Sequence, residues 1–275
     1  MLMRFFFLVI IINGDNMKKI LFTGARGGII SHVIDKIKDR YEIYLTVHTY
    51  SELEIVKEKY NDYSNIHCYK LDVTNTKYLE QFNNVDLDIL VLNSAIGYGG
   101  SISEINMNLV RNNFEVNVFS NFLVMQFFIK SMINKNKGKI IFMSSLASIF
   151  PMPFLGVYSS TKASINVLAT SLSKELKMID KNIDISIIQP GFYHTGFNQV
   201  MFDNKYDWMS VESYFNSIIN ALKVKENFIE EFIELKNYNS IVKKIVNVID
   251  GKKKLFVRAP STQGILSKIY QFLFL

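Results

Sequence analysis

Short apolar runs recur along the chain at 20–23, 44–47, 66–71, 89–93, 139–144 and 183–189. Between them, stretches with helical spacing of apolar positions lie at 29–38, 52–59, 76–82, 106–134 and 161–178. Runs that are apolar throughout, rather than alternating, are what strands show when helices cover both faces of their sheet. Strand and helix in alternation predict a single α/β domain, doubly wound on a parallel sheet. The run at 255–258 fits a last strand, which brings the sheet to about seven strands flanked by helices. Residues 196–250 break the alternation and read as a mostly helical insertion over one end of the sheet. No repeat, low-complexity stretch or linker divides 17–275.

The N-terminus stands apart. Residues 5–12 are apolar behind Arg4, too short to span a bilayer and without a small-residue cleavage site after them. Met17-Lys18-Lys19-Ile20 reads as the natural start of the first strand. Residues 1–16 are therefore expected to be an upstream extension, with a short membrane-associating anchor as the other reading.

Composition narrows the partners. With 49% hydrophobic residues in 275 there is ample material for a core. The single cysteine, Cys68, excludes an internal disulfide and fits a reducing cytoplasm. The net charge of +6 is spread along the chain, with no Lys/Arg block interleaved with aromatics, so a nucleic-acid groove is excluded. A basic surface still suits an anionic ligand. No metal site is expected.

The candidate chemistry lies in three places. Tyr158 and Lys162 are four apart in Tyr-Ser-Ser-Thr-Lys, which on a helix puts phenol and ammonium on one face, a turn apart. A phenol ionises at about 10, and a neighbouring cation favours its anion. The pair therefore predicts a tyrosine able to release its proton near neutral pH. Thr23-Gly24-Ala25-Arg26-Gly27-Gly28 follows the first strand, and Ile29 opens the helix behind it. Glycines there let backbone approach a phosphate and aim N–H groups at it. Pro190-Gly191-Phe192-Tyr193-His194-Thr195 follows the run at 183–189. Asn117 and Ser145 precede Tyr158 in the chain.

In order and spacing these elements resemble the short-chain dehydrogenase/reductase family, from about Met17 to the C-terminal region. The resemblance implies a Rossmann-type fold, NADP or NAD as cofactor, and interconversion of a carbonyl and an alcohol. It makes Tyr158 the general acid in reduction and, as phenolate, the base in oxidation. Lys162 would lower the pKa of Tyr158 and hold the nicotinamide ribose. Ser145 would hydrogen-bond the substrate oxygen, and Asn117 would position a water linking Lys162 to solvent. Pro190-Gly191 would end the sixth strand and Thr195 would touch the carboxamide or phosphates of the cofactor. His194, though it titrates near neutrality, has no proton-transfer role in the family pattern.

Departures from the family pattern carry expectations too. Thr-Gly-x-x-x-Gly-x-Gly is matched at Thr23, Gly24 and Gly28, but the third glycine is Ile30, which implies a displaced helix or looser cofactor binding. After the second strand there is no acid until Glu52, which favours NADP over NAD, with Arg26 and His48 as phosphate contacts. His48 reads equally as a plain surface residue. Asp72-Val73 resembles the adenine-contacting pair and is compatible with a helix start capped by Thr74. Leu92-Asn93-Ser94-Ala95 stands where the family has Asn-Asn-Ala-Gly, leaving Asn93 in register and Ala95 small enough for the cofactor.

Residues 149–155, with Phe192, Tyr193, Met201 and Trp208, form an apolar set that reads either as the lining for a hydrophobic carbonyl or as core and dimer surface. Family precedent suggests a homodimer or homotetramer through helices 106–134 and 161–178. Lys252-Lys253-Lys254 and the apolar tail 265–275 read as a solvated turn and a packed tail, with membrane contact as the lesser alternative. The expected activity is NADPH-dependent reduction of a small or hydrophobic ketone or aldehyde. The rival is a cofactor-binding sensor or scaffold with little turnover.

Overall fold

The computed structural model describes residues 17–206, 208–209 and 213–274. The expected extension at 1–16 lies outside the described residues. Seven parallel strands run in the order β3-β2-β1-β4-β5-β6-β7. They are β1 (Lys19–Phe22), β2 (Glu42–Val47), β3 (Ile66–Lys70), β4 (Ile89–Leu92), β5 (Gly138–Met143), β6 (Ile183–Pro190) and β7 (Phe256–Ala259). Strand order reverses between β1 and β4, and in such sheets ligands bind beyond the carboxyl ends of the strands at that point.

Both faces are covered, which is why the strands read as unbroken apolar runs. On one face pack α1 (Gly28–Ile37), whose Ile30, Val33, Ile34 and Ile37 are all buried, α2 (Tyr50–Lys59) and α8 (Asn239–Ile249). On the other lie α4 (Ser120–Lys135) and α5 (Gly156–Met178). Their i, i+3, i+4 stripes face the sheet. Local chemistry places the ends. Thr49 and Glu52 form a capping box that starts α2, and Asn136, left-handed at φ 52°, ends α4.

The stretch read as one helix from 106 is broken. Met107–Phe114 (α3) is α-helical, Glu115–Phe119 is a π turn, and α4 follows. Among the described residues Met107–Lys135 is long and apolar enough to cross a membrane, yet half of its most apolar window is buried in the fold. The run at 76–82 is a 3-10 helix capped by Asn75, not Thr74, because the Asn75 side chain accepts from Lys77 N. Thr74 instead donates to Asp72.

Within 196–250, α8 belongs to the cover of the sheet, packed on α1. The remainder carries α6 (Phe197–Asp203), α7 (Ile219–Phe228) and the π turn Ile229–Ile233. Here Lys205 is fully buried, its ammonium 2.7 Å from Glu226 and donating to the Phe202 carbonyl. The Tyr206 hydroxyl donates to the other Glu226 oxygen at 2.6 Å. Desolvation lowers the pKa of Lys205, and Glu226 counteracts it. Removing one partner of a buried pair costs about 3–5 kcal/mol, because it strands the other charge. Glu226→Ala is therefore expected to loosen this segment, speeding limited proteolysis within 196–238 and lowering the melting temperature. Unchanged cleavage would show that the pair does not hold it.

Candidate active site

Every strand that carries a site residue delivers it at its carboxyl end. Thr23 follows β1, and its buried Oγ accepts from Asn93 N (2.8 Å) and Ser94 N (3.0 Å), stitching β1 to β4. Asn93 returns the tie, donating from Nδ2 to the Gly24 carbonyl at 2.8 Å. Gly24 sits at φ +61°, and a Cβ there would lie 3.1 Å from Ser94 Cα. Any side chain would be strained and crowded, so the turn needs glycine. At Gly28 a Cβ would lie 3.3 Å from the Thr195 side chain. This brings the Pro190–Thr195 segment against the first turn of α1.

The N-cap of α1 is Gly27, with no side-chain cap. Its first N–H groups, those of Gly28 and Ile29 included, point from a helix N-terminus that favours negative charge. These residues fit a dinucleotide pyrophosphate. Ile30 lies in the core between helix and sheet, 1% exposed.

The ribose end differs from the sequence reading. Glu52, taken there as beyond reach, is folded back by the capping box to the end of β2. Its Oε2 accepts from the N–H groups of His48 (3.1 Å) and Thr49 (3.3 Å), and its Oε1 lies 3.3 Å from Arg26. A carboxylate therefore does stand at this end, paired with the cation expected to meet a phosphate. His48 is exposed. Asp72 closes β3 with its carboxylate turned onto Thr74, and Val73 is buried. Ala95 is half-buried beside Asn93.

The four expected reacting-end residues are brought together. Ser145 caps a short helix after β5, accepting from Ala147 N at 3.1 Å. The Ser145 side chain lies near enough to the Tyr158 phenol to pull its pKa down. Asn117, fully buried in the π turn, exchanges both hydrogen bonds with the Ile96 backbone at 2.8 Å and donates to Thr161 at 3.1 Å. Thr161 in turn donates to the Tyr158 carbonyl. Asn117 thus fastens the loop after β4 to the turn of α5 that holds Tyr158 and Lys162. π turns recur at functional sites, and this one re-aims Asn117 inward.

One expectation reverses. Burial pushes the Tyr158 phenol up to about 12, with Ser145 pulling the other way, rather than the lysine drawing it down. Burial also lowers Lys162 to about 8. Its ammonium donates to the Met143 carbonyl at 2.9 Å and lies 5.8 Å from the Tyr158 ring centre. In a dry pocket desolvation outweighs attraction at that range.

The apolar set from the sequence divides. Met201 and Phe202 of α6, with Leu155 and Met152, close around Tyr158, and the Phe197 ring centre is 5.6 Å from that of Tyr158. Trp208 and Met201 rest on Gly100 and Gly97, leaving no room for a Cβ at either position. Tyr193 is core, its hydroxyl bonded to Ser240. Phe150 meets Tyr270 of α9 (Ser261–Phe274) edge to face, and Phe154 meets Phe215 in the same way.

Sequence reasoning missed two supports. Asn121, one turn beyond Asn117, donates to the Asn117 carbonyl at 2.7 Å, a signal available in the i, i+4 spacing. Gln263 accepts from Phe192 N at 2.9 Å and stands where a Cβ at Gly191 would be. No local pattern links positions so distant.

The family model described as short chain dehydrogenase matches residues 18–205. The chain is 30% identical over 112 residues to dehydrogenase/reductase SDR family member 7B of Rattus norvegicus, covering 41% of this chain and 34% of that protein. It is 28% identical over 189 residues to the NADPH-dependent 3-dehydrocapnine reductase of Ornithobacterium rhinotracheale, covering 64% of this chain and 65% of that one. The chain thus spans a third of the first relative and just under two thirds of the second. A solved short chain dehydrogenase/reductase from Burkholderia phymatum, in complex with NAD, superposes with a TM-score of 0.78 at 16% identity over 93% of both chains. The fold is shared with that structure, and a family match running from β1 past Tyr158 and Lys162 to α6 takes in most of the sheet and all four reacting-end residues: the chain belongs to the short-chain dehydrogenase family.

Proposed function

We propose that this protein is an NAD(P)-dependent oxidoreductase that interconverts a carbonyl and an alcohol, working as an NADPH-dependent reductase of a small or hydrophobic ketone or aldehyde. The observation that carries this is Tyr158 set beside Ser145 and buried beneath apolar Phe197, Met201 and Phe202, at the same sheet edge as the uncapped start of α1. A bound dinucleotide would supply the hydride. Ser145 and Tyr158 hold the carbonyl oxygen, and the phenolic proton passes to that oxygen as the carbon is reduced. Lys162, charged below about pH 8, steadies the phenolate that results. The apolar cover excludes water and favours a substrate without charge near its carbonyl.

Support for NADPH comes from Arg26 and from the relative named for that cofactor. Because Glu52 holds Arg26, the preference is expected to be modest. Titration with NADPH and NADH, followed by nicotinamide fluorescence, tests it. NADPH should bind more tightly, Glu52→Gln should tighten it by a further factor of about two to five as the exposed pair is released, and Arg26→Ala should erase the difference. NADH preferred by all three would reverse the assignment. Neither nucleotide binding would overturn the function, and binding without turnover over a carbonyl panel would favour the sensor reading.

We further place the protein in the cytoplasm as a homodimer or homotetramer. Support comes from exposed apolar Phe119, Val167 and Leu168 on the helical segments expected to pair.

A further inference from the structure

One carboxylate outside the reacting end is buried beside the cofactor loop. Glu234, directly after the π turn Ile229–Ile233, is 7% exposed. It receives side-chain hydrogen bonds from both flanks of Thr195. His194 Nδ1 stands 3.0 Å from Oε2, and Asn198 Nδ2 donates to Oε1 at 2.5 Å. Since a carboxylate only accepts, His194 carries its proton on Nδ1. The backbone joins at the same place: Leu235 N donates to the Phe192 carbonyl at 3.0 Å and His194 N to the Leu235 carbonyl at 3.1 Å. The Tyr238 hydroxyl donates to the His194 carbonyl.

Between these ties lie Thr195 and Gly196, ahead of the first turn of α6, whose Phe197 packs on Tyr158. Gly196 is exposed at φ +77°, with nothing within 4 Å of where a Cβ would be. Thr195 itself rests on Gly28, at the N-terminus of α1. A segment tied at 194 and 198 but open at 196 owes the placement of Thr195 to what grips its ends. Burying a carboxylate is costly unless its oxygens are satisfied, and here both are satisfied by residues on either side of Thr195, His194 and Asn198.

We propose that Glu234 is a positioning residue for the dinucleotide, holding 194–198 so that Thr195 is already set against the α1 turn when the nucleotide arrives. This rests on the reading that Thr195 contacts the cofactor. A loop ordered in advance lowers the cost of binding, so its loss falls on nucleotide affinity and leaves the chemical step with the bound complex largely intact. The grip also joins the cofactor loop to the end of the helical segment that carries α7.

The test measures NADPH binding by nicotinamide fluorescence, together with kcat, KM for NADPH and the melting temperature, in wild type and variants. Glu234→Ala is expected to raise the Kd and KM for NADPH about tenfold and to change kcat at saturating NADPH less than about threefold. Glu234→Gln should restore most of the affinity, since its amide still accepts from Asn198. His194→Ala and Asn198→Ala each remove one tie without leaving a charge wholly unpaired, and should give intermediate losses even where Glu234→Ala fails to fold. Wild-type affinity in Glu234→Ala, or in both single-tie variants, overturns the proposal. So does a fall in kcat with KM unchanged. Wild-type protein that binds neither NADPH nor NADH would overturn the functional reading itself, which separates the two failures.

Discussion

Tyr158→Phe is expected to lower the kcat for carbonyl reduction by about 10²–10⁴-fold, the range that a positioned proton donor contributes, while NADPH binding stays near the wild-type value. The ring itself is held by packing, against Phe197 at 5.6 Å and among Leu155, Met201 and Phe202, so the substitution removes the hydroxyl and little else. The acidity of the site makes the direction of reaction testable as well. With the phenol pushed up to about 12 by burial, Tyr158 is fully protonated through the physiological range and suited to giving a proton rather than taking one. Lys162, lowered to about 8, loses its charge on the alkaline side. The kcat/KM for reduction should therefore hold level below pH 8 and fall as pH rises through that value. A rate that climbs steadily from pH 6 to 9, or a Phe variant with near-normal turnover, would remove Tyr158 from its role.

The fold was legible because each strand is a short apolar run and each helix a stripe, patterns set by a sheet covered on both faces. The reacting-end candidates were legible because their types and spacing are local: Tyr158 and Lys162 share a helical face, and Ser145 follows a strand and caps the short helix after it. What escaped depends on partners far along the chain or on degree of burial. Glu52 looked distant by residue count, yet a capping box folds its carboxylate back to the strand end. The π turn at Glu115–Phe119 has no distinct composition, and the partners of its Asn117, Ile96 and Thr161, lie on other elements. The pKa order of Tyr158 and Lys162 was inverted because spacing reports proximity, whereas desolvation depends on the cover from α6, more than thirty residues downstream.

That inversion leads to the second large effect. Lys162→Met is expected to abolish turnover, by about 10² or more, and at the same time to make the nucleotide-free protein more resistant to heat. Lys162 is 3% exposed, with its ammonium bonded to the Met143 carbonyl. Its folded pKa of about 8 lies below the ordinary 10.5, so at pH 7 the fold bears the full cost of burying the charge. At about 1.4 kcal/mol per pH unit that cost is about 3 kcal/mol. Between pH 8 and 10.5 the unfolded chain holds more protons than the folded one, so wild-type stability should climb with pH across that window. Methionine matches the length of the stem and carries no charge, but it forfeits the bond to Met143, worth about 1 kcal/mol. The net gain of about 2 kcal/mol should raise the melting temperature at pH 7 by about 4–8 °C, and the advantage should shrink as pH approaches 10.5. A variant that melts lower than wild type at pH 7, or a wild type with no rise in stability between pH 8 and 10.5, would mean that Lys162 is not held at the expense of the fold. A variant that gains stability and loses turnover would locate the cost of this active site in one buried amine, kept because the reaction needs its charge.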